Sequence, residues 1–146
     1  MNKIYNMHIE KCAEIDSKAF ASAKAILGID DALNMWDVRN VLREDLSKVS
    51  CIVAGFPCTS ISSIGQQQGF SNTCLDCNHT FSSLDVDEIG VCPICGSRNI
   101  EETPSSLVAY VIEAIKKIRP QLVVMENVAN FATSKKFKAD LIKLMT

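Results

Sequence analysis

The chain has no long hydrophobic run, no excess of charge of either sign and no export signal. No apolar stretch approaches the roughly 18 residues of a membrane-spanning helix, so no membrane association is expected. Fifteen Lys and Arg stand against 17 Asp and Glu, a formal net charge of −2. No basic field therefore announces a nucleic-acid partner. The N-terminal MNKIYNMHIEK lacks the uninterrupted apolar core of a signal peptide. What the chain does have is cysteine, seven in 146 residues. Four of these form Cys-x-x-Cys pairs, and without an export signal a disulfide framework is not expected. The expected compartment is reducing, most simply the cytoplasm. A composition of 47% hydrophobic and 22% charged residues reads as globular, with a length suited to one main core.

The hydrophobic pattern alternates between short strands and helices. His8–Ala13 reads as a strand, followed by a helix that Asp16 can cap and Gly28 can end. A second strand is expected over Ala32–Trp36, then a short helix and turn over Val41–Val49. Cys51–Ala54 is apolar on both faces, as in a buried parallel strand, and stops at Gly55-Phe56-Pro57. Pro104 suits the first turn of a helix bearing Val108, Val111, Ile112, Ile115 and Ile118 on one side, with Pro120 stopping it. Leu122–Met125 reads as a second buried strand, and Lys135–Met145 as a closing basic helix. Such alternation predicts an α/β fold with a parallel sheet and right-handed crossovers. Between Gly69 and Thr103 the pattern breaks.

Ligands bind outside the carboxyl ends of strands in open parallel sheets. Glu14, Asp37, Pro57-Cys58 and Glu126 each follow a predicted strand or lie close to its end, so three carboxylates and a thiol are expected around one crevice. Cys58 could be a small buried cysteine in a turn, since free cysteine is often core. It follows a proline of fixed φ, however, and precedes a polar loop with Ser and Gly, which suits an exposed, reactive thiol.

Gly55-Phe56-Pro57-Cys58, with the Ser60-Ile61-Ser62-Ser63-Ile64-Gly65 that follows Thr59, closely resembles the catalytic motif of DNA cytosine-5 methyltransferases. Glu126-Asn127-Val128 resembles that family's second catalytic motif. Glu14-Ile15-Asp16 and Trp36-Asp37-Val38 stand in the order and spacing of its cofactor motifs. Thr59 and Ile61 depart from the family's usual Gln and Phe, which touches the loop rather than the nucleophile. The resemblance implies a Rossmann-like S-adenosylmethionine-dependent methyltransferase sheet. It implies Cys58 as nucleophile toward cytosine C6, Pro57 setting the turn that aims it, and Glu126 holding or donating a proton at N3. That carboxyl group should be shielded from water. Glu14 would bind the cofactor's ribose hydroxyls, Ile15 would pack on the adenine, and Asp37 would receive the adenine amino group. Without this company, Glu14 and Asp37 would read as solvated loop carboxylates. The implied substrate is double-stranded DNA with the target cytosine flipped out.

Cys74-x-x-Cys77 and Cys92-x-x-Cys95 have the spacing of a structural zinc ribbon; paired redox disulfides are the weaker alternative. His79 is a conceivable substitute ligand, although four cysteines already complete a set. The ribbon, 71–102, is expected as an insert dividing a catalytic domain of residues 1–70 and 103–146. It would anchor the adjacent catalytic loop or touch DNA, or it is a stabilising graft without contacts; its acidic Asp85–Glu88 stretch argues against DNA. The family's glycine-rich first motif has no counterpart before Glu14, and no Arg-x-Arg motif follows Glu126. The sheet is therefore expected to be incomplete, with apolar faces uncovered. Three readings follow. The chain is a methyltransferase piece that needs a complementing segment, an inactive remnant in a phage or mobile element, or a zinc-ribbon binding module. The sequence leaves open the DNA target and any partner nuclease of a restriction-modification pair.

Overall fold

The computed structural model describes residues 8–57 and 70–126. Two strands, β1 (Cys51–Gly55) and β5 (Leu122–Glu126), form a parallel pair in which Cys51 lies opposite Leu122 and Gly55 opposite Glu126. Parallel strands need a crossover, and helix α2 (Val108–Ile118) supplies it. A 3-10 turn over Pro104–Leu107 leads into α2, and Arg119 ends it in the left-handed region at φ 51°. The expected apolar side of α2 proves to be two faces. Val108 and Ile112 pack on Phe56, with Met125, Phe70 and Leu84 around them. Tyr110 and Ala114 pack on Val41 and Leu46.

Helix α1 (Ser17–Leu27) forms as its end signals require. The Asp16 carboxylate accepts from the N–H groups of Lys18 and Ala19, and Gly28 closes the helix at φ 69°. The two strands expected around α1 do not form. His8–Ala13 and Ala32–Trp36 are reduced to one parallel bridge between Cys12 and Asn34. Cys12 N–H donates to the Leu33 carbonyl at 3.0 Å, and Met35 N–H returns to the Cys12 carbonyl at 2.8 Å. Pairing cannot extend, because Asp30 caps a 3-10 turn over Asp31–Leu33 on one side. On the other, Trp36 turns the chain at φ 63°. The helix expected within Val41–Val49 is a 3-10 turn over Val38–Arg43, started by Asp37.

The β1–β5 pair is not buried on both faces: Val53 is 69% exposed, Leu122 56% and Val124 44%. A second sheet lies between β1 and α2, with β2 (Ser71–Cys74) flanked by β3 (Thr80–Ser82) and β4 (Ile100–Glu101), all antiparallel. Its small core is Cys74, Phe81 and Cys92 with Val86 and Ile100. No helix among the described residues is long and apolar enough to cross a membrane. The helix expected over Lys135–Met145 lies outside the described residues.

Candidate functional site

At the carboxyl ends of β1 and β5 the chain narrows to glycine opposite an acid. A Cβ placed on Gly55 would meet the Glu126 carboxylate at 3.5 Å, an ordinary contact, so the two residues lie side by side at the strand ends. Glu126 is exposed, and the shielding expected for it is not supplied by the described residues. After Gly55, Phe56 is buried against α2, and the exposed Pro57 follows. The Pro57 carbonyl accepts a hydrogen bond from Ser105 Oγ at 3.1 Å. Cys58, Asn127 and Val128 lie outside the described residues.

Beside this strand end lies a cleft of about 400 Å³, with Glu14, Ile15, Trp36, Asp37, Gly55 and Pro57 among its lining residues. Three widely separated segments thus meet, while Glu126 stands next to the lining rather than in it. Asn34, which the sequence did not single out, builds the Glu14–Trp36 side of the cleft. Buried, it accepts from Glu14 N–H at 3.1 Å and Trp36 N–H at 3.0 Å, and donates to the Glu14 carbonyl at 3.1 Å. One side chain thereby does the work of the missing strand pairing. The Glu14 carboxylate accepts from Asp16 N–H at 2.9 Å. Ile15 is 70% exposed, an apolar surface at the cleft. Trp36 packs against Phe20 with ring centroids 5.4 Å apart.

Asp37 is already engaged. Arg39 Nε lies 3.0 Å from both of its oxygens, Nη2 lies 2.7 Å from Oδ2, and the Arg39 N–H donates to Oδ1 at 2.9 Å. The guanidinium hydrogen bond holds this carboxyl below the usual carboxylate range. Arg39 also reaches Glu102 at 3.4 Å, and Glu102 accepts from Tyr110 OH at 2.8 Å. This network begins at the cleft and ends where β4 leaves the second sheet. Burial and the Glu102 bond push the Tyr110 hydroxyl well above its ordinary range. Cys12 also lines the cleft, its thiol pushed up by burial and by the Glu14 carboxylate.

An apolar-walled cleft with a few placed polar groups suits a nucleoside-type ligand. The residues present fit S-adenosylmethionine on that ground: carboxylates at two points of the cleft, an apolar surface at Ile15 and the Trp36 ring. An amino donor arriving at Asp37 must share its oxygens with Arg39.

The four paired cysteines form a second centre. Their sulfur atoms all lie within 4.8 Å of one another, with Cys74–Cys95 and Cys77–Cys92 each at 3.6 Å. A tetrahedron of thiolates around zinc has edges of about 3.8 Å, whereas a disulfide is closed at about 2.05 Å. The set therefore has the dimensions of a metal cage. The two knuckles repeat each other. Asn78 N–H donates to the Cys74 carbonyl and Gly96 N–H to the Cys92 carbonyl, both at 2.9 Å, with Asn78 and Gly96 at positive φ. Although burial opposes it, the N–H groups of Cys95 and Ile94 and the neighbouring thiols bring Cys92 down to about 7. Despite the N–H of His79, burial and three thiol neighbours push Cys77 up to about 12. His79 stacks on Phe81 and is not among the clustered ligands.

The family profile described as C-5 cytosine-specific DNA methylase matches residues 4–76 and 94–145, leaving out the stretch from Cys77 to Pro93. An orphan methyltransferase, M.SPBetaI, of Bacillus phage SPbeta is 29% identical over 126 residues, covering 84% of this chain and 28% of that protein. The same figures hold for the orphan methyltransferase M.Phi3TI of Bacillus phage phi3T. The orphan methyltransferase M.SPRI of Bacillus phage SPR is 38% identical over 61 residues, 42% of this chain and 14% of that protein. The chain thus spans little more than a quarter of the length of the first two relatives. No solved structure matches it significantly.

Proposed function

The chain belongs to the C-5 cytosine-specific DNA methylase family, and on that premise we propose that it takes part in methylating cytosine at C5 in double-stranded DNA, with Cys58 as the covalent nucleophile. The observation that carries this reading is the register that sets Gly55 beside Glu126. The residue two positions before Cys58's proline and the acid thus share one level of the sheet.

Cytosine is not nucleophilic enough at C5 to take a methyl group unaided. The Cys58 sulfur forms a bond to C6, and the displaced ring electrons raise the electron density at C5. Glu126 hydrogen-bonds or protonates N3, relieving the charge that thiolate addition brings to the ring. Once C5 has accepted a methyl group, its proton passes to water acting as base, and the freed C–H electrons re-form the 5,6 double bond and expel the Cys58 sulfur as thiolate. S-adenosylmethionine, when bound, supplies the sulfonium methyl that C5 receives. Glu14, Ile15 and Asp37 would hold it, Glu14 at the ribose hydroxyls, Ile15 on the adenine face and Asp37, shared with Arg39, at the adenine amino group. Glu126 is exposed in the DNA-free chain, and a flipped cytosine seated on it would provide the missing shield.

Residues 71–102 read as a zinc ribbon inserted into a catalytic domain of residues 1–70 and 103–146. The unmatched stretch from Cys77 to Pro93 and the dimensions of the four-sulfur cage support this. Zinc held there is structural: a complete set of four protein ligands leaves no position for substrate. The unbridged thiols suit a reducing compartment such as the cytoplasm. The uncovered apolar side chains of Val53, Leu122 and Val124 support a complementing methyltransferase segment as a partner.

The test is covalent trapping on duplex DNA containing 5-fluorocytosine, in the presence of S-adenosylmethionine. The fluorine at C5 cannot leave as a proton does, so the enzyme should stay bound. Cys58→Ser should abolish both the adduct and methyl transfer. An adduct that persists in Cys58→Ser removes Cys58 as nucleophile.

A further inference from the structure

We propose that Ser105 is a positioning residue for the nucleophile, holding through its hydroxyl the peptide that leads into Cys58. The inference rests on the reading of Cys58 given above.

Ser105 and Ser106 are adjacent, in the 3-10 turn that begins α2, and 0% and 1% exposed. Buried hydroxyls must find partners, and the two solve this differently. Ser106 Oγ donates within its own turn, to the Thr103 carbonyl at 2.7 Å. Ser105 Oγ instead reaches a carbonyl 48 positions earlier in the chain, that of Pro57, at 3.1 Å. Nothing in the local needs of a helix start calls for that bond.

Its target decides its meaning. The pyrrolidine ring already fixes φ of Pro57. A hydrogen bond to the carbonyl oxygen fixes the rotation that remains, ψ of the same residue. Because the peptide unit is planar, an oriented carbonyl also orients the nitrogen bonded to it, and that nitrogen belongs to Cys58. The preceding residue is held by the same helix, since Phe56 is buried against Val108 and Ile112. The N-terminal end of α2 thus grips two successive residues on the approach to the thiol, one by packing and one by a directed hydrogen bond. Attack on C6 needs the sulfur within a near-attack distance, and small displacements there are costly.

The full chain is mixed with a pool of duplexes carrying 5-fluorocytosine in every sequence context, with saturating S-adenosylmethionine, and the rate of adduct formation is followed. Dissociation constants for S-adenosylhomocysteine are measured alongside. Ser105→Ala is expected to slow adduct formation by roughly 3- to 10-fold, the equivalent of one neutral hydrogen bond, while the dissociation constant stays unchanged. Ser105→Thr and Ser105→Val add nearly the same bulk, and only Thr retains a donor. Thr should trap near the original rate and Val slowly, which decides the matter even if Ala perturbs folding. Trapping by Ser105→Ala at the original rate overturns the proposal. So does an equal loss in Thr and Val, which would report size alone. No adduct from the unsubstituted chain, even with the complementing methyltransferase segment supplied, overturns the reading of Cys58, and this inference with it.

Discussion

Stripping the metal from the four-cysteine cage should unfold the second sheet while leaving β1, α2 and β5 paired. The unit's own core is small: Cys74, Phe81 and Cys92, with Val86 and Ile100 packed around them. Units below about 40 residues rarely stand on such a core without a metal or disulfide. Zinc bound by small cysteine-rich units contributes about 10–16 kcal/mol near neutral pH, as much as the whole stability of an ordinary domain. The structure offers nothing of that size in its place. One of the two aromatic residues in or beside the unit's core, Phe81, is already buried there, and the other, Phe70, belongs with Leu84 to the core beneath Phe56. Hydrogen exchange reads the outcome directly. The N–H groups of Asn78 and Gly96, bonded to the Cys74 and Cys92 carbonyls at 2.9 Å, should lose protection on chelation. Amides within β1 and β5 should keep theirs. Elemental analysis should find one zinc per chain beforehand. Equal protection of Asn78 and Gly96 with and without chelator, or a folded protein that carries no zinc, would refute the reasoning.

Asn34→Ala should leave the Glu14 and Trp36 N–H groups without their acceptor in a part-buried place, at a cost of about 1 kcal/mol. Because Trp36 is the single tryptophan, the change should appear in its fluorescence and in weaker S-adenosylhomocysteine binding; an unaltered affinity would sink the role given to Asn34. Arg39→Ala should raise the Asp37 pKa toward the ordinary value, since the guanidinium bond is the main cause of its depression. A depressed carboxylate adds stability above its unfolded pKa and loses it as pH falls through the folded one. The substitution should therefore cost about 0.2–1 kcal/mol in urea unfolding at neutral pH and progressively less in acid. A cost that does not shrink in acid would contradict the assignment.

Features set by neighbours in sequence were legible. Asp16 and Gly28 bracket α1 with side-chain and backbone hydrogen bonds that involve no distant residue. The Cys-x-x-Cys spacing fixes each knuckle locally, and the apolar runs of β1 and β5 are strands in register. Features set across the chain were not. Five consecutive apolar or small residues imply a strand, but say nothing of what covers it, and Val53 and Val124 stand open. The strands read on either side of α1 dissolve into one bridge because the Asp30-capped turn and the positive φ of Trp36 end the pairing, leaving the Asn34 side chain to bond the Glu14 and Trp36 backbone. Neither Ser105 nor Arg39 leaves a periodic mark. Ser105 matters through Pro57, a partner brought close only by folding, and Arg39 links its sequence neighbour Asp37 to the distant Glu102. Of the expected site, the cofactor side and Pro57 share a cleft, while Cys58 falls outside the described residues.

The pairing of β2 with β4 sets Thr73 opposite Glu101, so the chain leaves the second sheet almost where it entered. In the language of polymer loops, that contact is a short circuit. The stretch that must be closed to bring β1 beside β5 includes the whole of the second sheet when it is unfolded, and bypasses it once Thr73 and Glu101 have met. Closure entropy grows only slowly with loop length, so the gain in final stability is slight. The order of events is affected more: local contacts form first, and the long-range parallel pair then closes a shorter loop. A unit with adjoining ends can also be lengthened, shortened or replaced by a tight turn without moving the strand ends it interrupts.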